Sequence, residues 1–256
     1  MAGKRRPTRL RAPFLTRVTL RDGPPDPGAG HPFSLPWLRD EDFEIAFTTP
    51  VTIVVGENGV GKSTLVEALA ALAGFGAGGG NRNHGGASDE SSGAQLSDIL
   101  RGAWLPKMTQ GWFFRAETFH TLARYLDDAD SPTADFLSWS HGEGFARVFA
   151  ERMAGQGIYF MDEPESALSP KRQLDLVALL ADMQETGRAQ AIVATHSPLI
   201  MAVPGARVLE VSRFGFLERA WQETSHFRLW RAFAADPEGF IAEAIDERRD
   251  GDERFD

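Results

Sequence analysis

The feature that most constrains the fold is the stretch from residue 51 to residue 64, which reads VTIVVGENGVGKST. Its first five residues are β-branched and predict a short buried strand, whereas the Leu- and Ala-rich LVEALAALA that follows predicts a helix. Between them, residues 56–63 fit the pattern G-x-x-x-x-G-K-[ST] without a mismatch. A strand, a glycine loop and a helix in this order predict a phosphate-binding loop.

The residue types in this loop suit the chemistry of phosphate binding. Backbone N–H groups can surround a phosphate only where no Cβ intervenes, and the following helix directs its positive dipole end at the anion. Lys62 is expected to reach the β- and γ-phosphates, and the Ser63 hydroxyl is expected to bind Mg²⁺. We predict that a nucleoside triphosphate binds the loop residues Gly56, Glu57, Asn58, Gly59, Val60, Gly61, Lys62, Ser63 and Thr64.

Composition and charge limit the classes of protein that remain. The 256 residues suffice for one α/β domain with small appendages. The absence of cysteine excludes disulfides, thiolate metal sites and cysteine nucleophiles, and is compatible with the cytoplasmic location that we expect. No apolar run approaches the length of a membrane span, so no membrane insertion is expected. The net charge of −9 disfavours non-specific nucleic-acid binding by the body of the protein.

Several segments flank the phosphate loop. Residues 43–47 alternate apolar and polar side chains, which predicts a strand that turns through residues 48–50 into the strand of the phosphate loop, as a hairpin. The glycine- and serine-rich residues 74–93 predict a flexible loop. Residues 96–109 are interpreted as a helix, and residues 111–119 as a buried strand.

Two further strands are predicted to end in polar side chains. The apolar IYFM leads into Asp162 and Glu163, and AIVAT leads into His196. A carboxylate at the end of a strand beside the phosphate loop can hold Mg²⁺, which assigns Asp162 as a metal ligand. Glu163, as the next residue, is predicted to be the general base that polarises the attacking water.

The motifs GENGVGKST, SHGEGFARVF, IYFMDEPESALS and ATHSP, in this order, resemble the ATP-binding cassette (ABC) class of P-loop ATPases. The resemblance is closer to small stand-alone bacterial ATPases related to the heads of chromosome-maintenance proteins. It implies an α/β P-loop NTPase fold with an ABC-type head, in which helices flank a mostly parallel sheet that has an antiparallel β flank. The resemblance covers residues 31–240, which we expect to form the ATPase domain, and the composition adds a basic, Pro/Gly-rich arm (residues 1–30) and an acidic tail (residues 241–256).

The resemblance implies specific roles in ATP hydrolysis with Mg²⁺. In the class, two monomers enclose two ATP molecules, and Ser140 and Gly142 would contact the ATP of the other monomer in an ATP-dependent homodimer that acts on an unknown protein partner. His196 corresponds to the histidine that touches the γ-phosphate. We prefer Glu117, at the end of a predicted strand, in place of the class's Mg²⁺-sensing glutamine. The sequence around Ser140 departs from the class signature at Trp139, His141 and Glu143.

Other functions remain open at this stage. The chain could be the ATPase subunit of an ABC transporter, although its signature departs from transporter usage. A small-molecule kinase or a nucleotide switch with little turnover would also begin with this phosphate loop. The basic arm could touch nucleic acid, but we expect it to be a solvated tail.

Overall fold

The framework of the protein is a pair of β-sheets, seen in a computed structural model that describes residues 10–76, 79–80, 91–115, 153 and 155–252. The strands are β1 (Leu15–Leu20), β2 (Glu44–Ala46), β3 (Val51–Val55), β4 (Leu100–Trp104), β5 (Gly111–Arg115), β6 (Ile158–Asp162), β7 (Gln190–Ala194), β8 (Arg207–Ser212) and β9 (Gly215–Glu218). The α-helices of the described residues are α1 (Lys62–Ala73), α2 (Ser92–Ile99), α3 (Pro170–Thr186), α4 (Pro198–Met201), α5 (Ser225–Ala235) and α6 (Pro237–Asp252).

The larger sheet has the order β5-β6-β7-β3-β8-β9, and all of its pairs are parallel except β8 with β9. Every residue of β3, β6 and β7 is buried, as expected for strands covered on both faces. Ala194 lies opposite Val54 on one side and Asp162 on the other. The loops that follow these three strands therefore leave the sheet at the same edge.

The smaller sheet has the order β2-β1-β4 and is antiparallel. The predicted strand at residues 43–47 is confirmed as β2, but the predicted hairpin with the phosphate-loop strand is wrong. β2 pairs with β1, and β3 belongs to the larger sheet. The mostly parallel sheet with an antiparallel flank is nevertheless confirmed.

The predicted helix at residues 96–109 is also wrong. Helix α2 ends at Ile99, and the chain continues directly as β4, which pairs with β1 along Leu15–Leu20. Leu100 is fully buried at the start of this strand. The pairing joins segments about eighty residues apart, and a local pattern carries no information about such a contact.

The basic N-terminal segment is a folded strand where the structure describes it, not the solvated tail that we expected. Leu15 and Val18 of β1 are fully buried, and β1 is the central strand of the smaller sheet. Arg17 lies on the exposed side, next to Glu44. Residues 1–9 lie outside the described part of the chain.

Part of the glycine-rich segment is ordered around the core. Phe75 is 3% exposed and its ring meets Phe160 edge to face. The backbone N–H of Gly80 donates to the carbonyl of Phe113 on β5. The predicted flexible loop therefore packs against the sheet at these residues, whereas residues 77–78 and 81–90 lie outside the description.

Two hydrophobic layers cover the larger sheet. One layer contains α3 and α4, whose buried residues pack against Ile53, Met161 and Val193. The other contains α1 and the smaller sheet, which pack against Val54 and Phe160. Residues alternate between the layers along each strand, as the pleat requires. In the part of the chain described here, no helix is both long and apolar enough to span a membrane.

Candidate functional site

The phosphate loop leaves β3 at Gly56 and enters α1 at Lys62. A Cβ on Gly56 would lie 2.4 Å from the carbonyl oxygen of Val211, and Gly61 has a φ of 94°, so both positions favour glycine. The Lys62 side chain lies back across the loop and donates to the carbonyls of Gly56 (2.9 Å) and Glu57 (3.0 Å). Burial lowers the pKa of Lys62, although nearby carboxylates, Glu163 first, oppose this shift.

A second segment supports the phosphate loop from outside. The Trp37 indole N–H donates to the carbonyl of Val60 at 2.8 Å, and the Trp37 ring stacks on Phe43 at a centroid distance of 5.6 Å. A Cβ on Gly61 would lie 2.7 Å from a methyl of Leu35. The loop is therefore fixed by side chains from residues 35–37, a contact that no motif in the sequence indicates.

Asp162 and Ser63 form the candidate metal site. The Ser63 hydroxyl lies close to the Asp162 carboxylate, whose Oδ1 is buried and has no hydrogen-bond partner in the described structure. Burial raises the pKa of Asp162 to about 6, while Ser63 and Arg115 act in the opposite direction. A hydroxyl and an unpaired carboxylate oxygen side by side are suitable ligands for Mg²⁺, which takes few protein ligands and uses phosphates and water for the rest. Accordingly, no cluster of three or more His, Cys, Asp or Glu that could hold a metal occurs among the described residues.

Glu163 lies at the mouth of the site in an unusual conformation. Its φ of 47° and ψ of 53° place it in the left-handed region, and it is the only non-glycine residue with positive φ in the described ranges. Its N–H donates to the carbonyl of Ala194, and its carbonyl accepts from the Ser166 hydroxyl at 2.7 Å. These bonds hold the backbone, while the side chain remains 42% exposed.

His196 lies on the loop after β7 and faces Glu163. Its Nε2 is 3.7 Å from Glu163 Oε1, and this nitrogen is buried with no hydrogen-bond partner in the described structure. Burial lowers the pKa of His196, and the charge of Lys62 adds to that shift. A neutral imidazole beside the phosphate loop can therefore donate or accept one hydrogen bond to a phosphate or a water molecule.

A hydrogen-bond network that sequence reasoning missed holds the His196 loop. The Glu165 carboxylate accepts from the Thr195 hydroxyl at 2.7 Å and from the His196 backbone N–H. The Ser197 hydroxyl donates to Gln173 Oε1 at 2.6 Å. Burial raises the pKa of Glu165, and the bonds from His196 and Thr195 oppose that rise. The network ties the loop after β6 to the loop after β7.

The structure brings together some of the predicted residues and does not describe others. The phosphate loop, Asp162, Glu163 and His196 meet at one edge of the larger sheet. Glu117, Ser140 and Gly142 lie outside the described residues. Arg115, two residues before Glu117, lies opposite Asp162 in the sheet and forms an ion pair with Glu67 of α1.

A cavity of about 680 Å³ opens between the phosphate loop and helix α5. Glu57 and Asn58 line it from the loop, and Glu163 and His196 from the sheet edge. His226 and Trp230 of α5 close its far side. The cavity therefore places the proposed base and the histidine in one space that also reaches the C-terminal helices.

The fold and this site are those of a P-loop nucleotide-binding protein that is similar to ATPases of the ABC/AAA type. Two family models support the class: "AAA domain" matches residues 33–102, and "AAA domain, putative AbiEii toxin, Type IV TA system" matches residues 119–202. Together they span the phosphate loop, the paired carboxylates and His196. No curated protein matches the sequence.

Solved structures give more distant likenesses. A chain of "a putative metal-chelate type ABC transporter" in an inward-facing conformation is 18% identical over 73% of this chain and 80% of its own, with a TM-score of 0.44. The protein cbiO1 from Clostridium perfringens, described as part of the ABC transporter complex cbiONQ, is 15% identical over 80% of this chain and 91% of its own, with a TM-score of 0.41.

Proposed function

We propose that the protein hydrolyses ATP at this site, with Glu163 as the general base and His196 as a contact of the γ-phosphate. The observation that carries the proposal is the approach of Glu163 Oε1 to His196 Nε2, at 3.7 Å, in a cavity that the phosphate loop also lines. Both groups follow parallel strands that end at the edge where the loop begins. A water molecule between Glu163 and the terminal phosphate would lose its proton to the carboxylate as it attacks phosphorus.

The neighbouring residues bind and position the nucleotide in this proposal. The backbone N–H groups of the phosphate loop would hold the phosphates, and the Lys62 ammonium would leave its two carbonyl partners for phosphate oxygens. Ser63 and Asp162 would hold Mg²⁺, which supplies positive charge against the phosphates when it is bound. Glu117 remains a predicted additional metal ligand.

The proposal extends to an ATP-dependent homodimer. Ser140 and Gly142 remain the predicted contacts to the ATP of the second copy, on the analogy of the ABC class. The homodimer hypothesis is compatible with the cavity, because Glu57 and Asn58 of the phosphate loop are exposed along it and are accessible to a second copy. The protein partner, the cytoplasmic location and the boundaries at residues 30 and 240 also stay predictions.

A substitution of Glu163 tests hydrolysis and dimerisation together. Glu163→Gln keeps the size and removes the base, so turnover should fall by about 100-fold or more while ATP still binds. Light scattering should then show a mass that doubles only with Mg-ATP. Lys62→Ala is the matched control, since it should lose nucleotide binding and stay monomeric under the same conditions.

The outcomes separate the competing functions. An unchanged rate in Glu163→Gln would contradict the role of Glu163 as base. A wild-type protein that binds ATP without turnover would favour a nucleotide switch. Phosphate transfer to an added metabolite instead of water would favour a kinase. A mass that ignores ATP, while ATP binds, would rule out Ser140 and Gly142 as contacts to a second copy.

A further inference from the structure

Helix α5 brings a second histidine to the ATP site. The rings of His226 and His196 have centroids 5.1 Å apart and are inclined by 56°. Both histidines line the cavity that also contains Glu163. No residue of α5 is fully buried, and the helix packs at the rim of the core, where Phe227 meets Trp221 edge to face. The contact of His226 with His196 is a second contact between this helix and the rest of the protein.

The start of α5 is anchored to the strand next to the phosphate-loop strand. The Glu210 carboxylate accepts from both the N–H and the hydroxyl of Ser225, each at 2.8 Å. Arg219 pairs with the same carboxylate at 2.6 Å. Glu210 lies opposite Val55, the last residue before the phosphate loop. His226, which follows Ser225, is therefore held at a fixed position relative to the phosphate loop.

The hydrogen bond from Trp230 defines which nitrogen of His226 carries the proton. The Trp230 indole N–H approaches His226 Nε2 at 3.3 Å. An indole N–H can only donate, so Nε2 must offer its lone pair and the proton must lie on Nδ1. The ring is then fixed at one edge by this hydrogen bond. The Trp230 side chain, one turn further along α5, thus fixes the orientation of the His226 ring that contacts His196.

We propose that His226 is a positioning residue of the ATP site, which holds the His196 ring toward Glu163 and connects the site to α5. The part of this proposal that concerns turnover rests on the proposed ATPase function. The part that concerns the histidine pair stands on the geometry of the two rings alone. Loss of His226 leaves the neighbouring face of His196 unsupported and free to rotate away from Glu163.

Kinetics of two variants test the effect on turnover. His226→Ala should lower kcat about 10- to 100-fold through lost positioning and leave KM for ATP within about threefold, because the contacts of His226 are with His196 and Trp230 and not with the phosphate loop. Trp230→Phe keeps an aromatic ring, removes only the N–H donor and should lower kcat less. Arg231→Ala, on the same helix and exposed, is the control and should match the wild type.

Nuclear magnetic resonance of the imidazole nitrogens tests the histidine pair without turnover. In the wild type without nucleotide, His226 should be the Nδ1–H tautomer, and Trp230→Phe should give a tautomer mixture. His226→Ala should shift the ring resonances of His196. A dominant Nε2–H tautomer, or His196 resonances unchanged in His226→Ala, would overturn the proposal even if the wild type proved inactive. A normal kcat in an active, folded His226→Ala protein would overturn it as well.

Discussion

Glu163 combines its proposed chemical role with a backbone conformation that glutamate rarely adopts. A left-handed residue other than glycine costs roughly 1–2 kcal/mol relative to a right-handed one. Bonds from Glu163 N to Ala194 and from Ser166 to the Glu163 carbonyl maintain this conformation. Such strain is characteristic of functional positions, since the surrounding structure must hold it in place. Here it aims the carboxylate toward His196, where an extended backbone would direct it elsewhere.

The cost of this conformation can be measured by two substitutions. Glu163→Gly should be more stable than Glu163→Ala by about 1 kcal/mol, because glycine tolerates a φ of 47° and alanine does not. Denaturant unfolding of nucleotide-free protein gives the difference. The same pair at Glu185, an exposed position in helix α3, should show the opposite order, with glycine the less stable by about 1 kcal/mol. Equal stabilities at Glu163 would show that the site imposes no strain.

A buried side chain of β7 connects the two sheets. Gln190 is fully buried, and its Oε1 accepts from the N–H groups of Phe14 and Leu15, both at 2.8 Å. Its Nε2 donates to the carbonyl of Leu15 at 2.9 Å. The start of β1 is thereby fixed to the strand that ends beside His196. Gln190 therefore links the folding of the smaller sheet to the geometry of the candidate ATP site.

Removing that side chain should destabilise the whole domain. Gln190→Leu leaves two N–H groups and one carbonyl unpaired and buried, so the free energy of unfolding should fall by about 3 kcal/mol or more. Gln184 is the matched control, since it also bonds two backbone groups, Val51 N and Gly205 O, but is partly exposed. Gln184→Leu should cost only about 1 kcal/mol, because water replaces its bonds. Equal losses would show that Gln190 has no special role between the sheets.

The sequence predicts the elements around the phosphate loop well, because local patterns determine them. The loop motif and the apolar strands that end at Asp162 and His196 need no distant contact to be recognised. Strand β4 could not be found in this way, since it follows α2 without a glycine or proline and pairs with β1 far away in the chain. Strand β1 was also missed, because its arginines are typical of a solvated tail. That one face of β1 is buried becomes evident only from its place in the sheet.

The same reason limits prediction of the candidate site. Glu165, Trp37 and His226 act through contacts across the fold, so their spacing in the chain carries no signal. Glu165 lies in the recognised DEPES motif, yet its bond to the His196 backbone depends on the pairing of β6 with β7. His226 could be located only once Glu210 was seen to hold the start of α5.

At the scale of the whole molecule, charge governs the approach of two copies. Each chain carries a net charge of −9, so two copies repel at long range. Salt screens this repulsion over a Debye length of about 8 Å at physiological ionic strength. Nucleic-acid binding by the basic residues near the N-terminus would instead weaken as the salt concentration rises, because salt competes with phosphate contacts.

Ionic strength should therefore distinguish the two kinds of association. We expect Mg-ATP-dependent dimerisation of Glu163→Gln to strengthen as salt rises from about 50 to about 300 mM, since screening reduces the repulsion of two acidic copies. Sedimentation at several salt concentrations measures this. A variant lacking residues 1–9 loses four positive charges and should show a larger salt effect. A dimer that weakens with salt would contradict the repulsion and indicate an interface held together by opposite charges, with the N-terminal arginines as the first candidates.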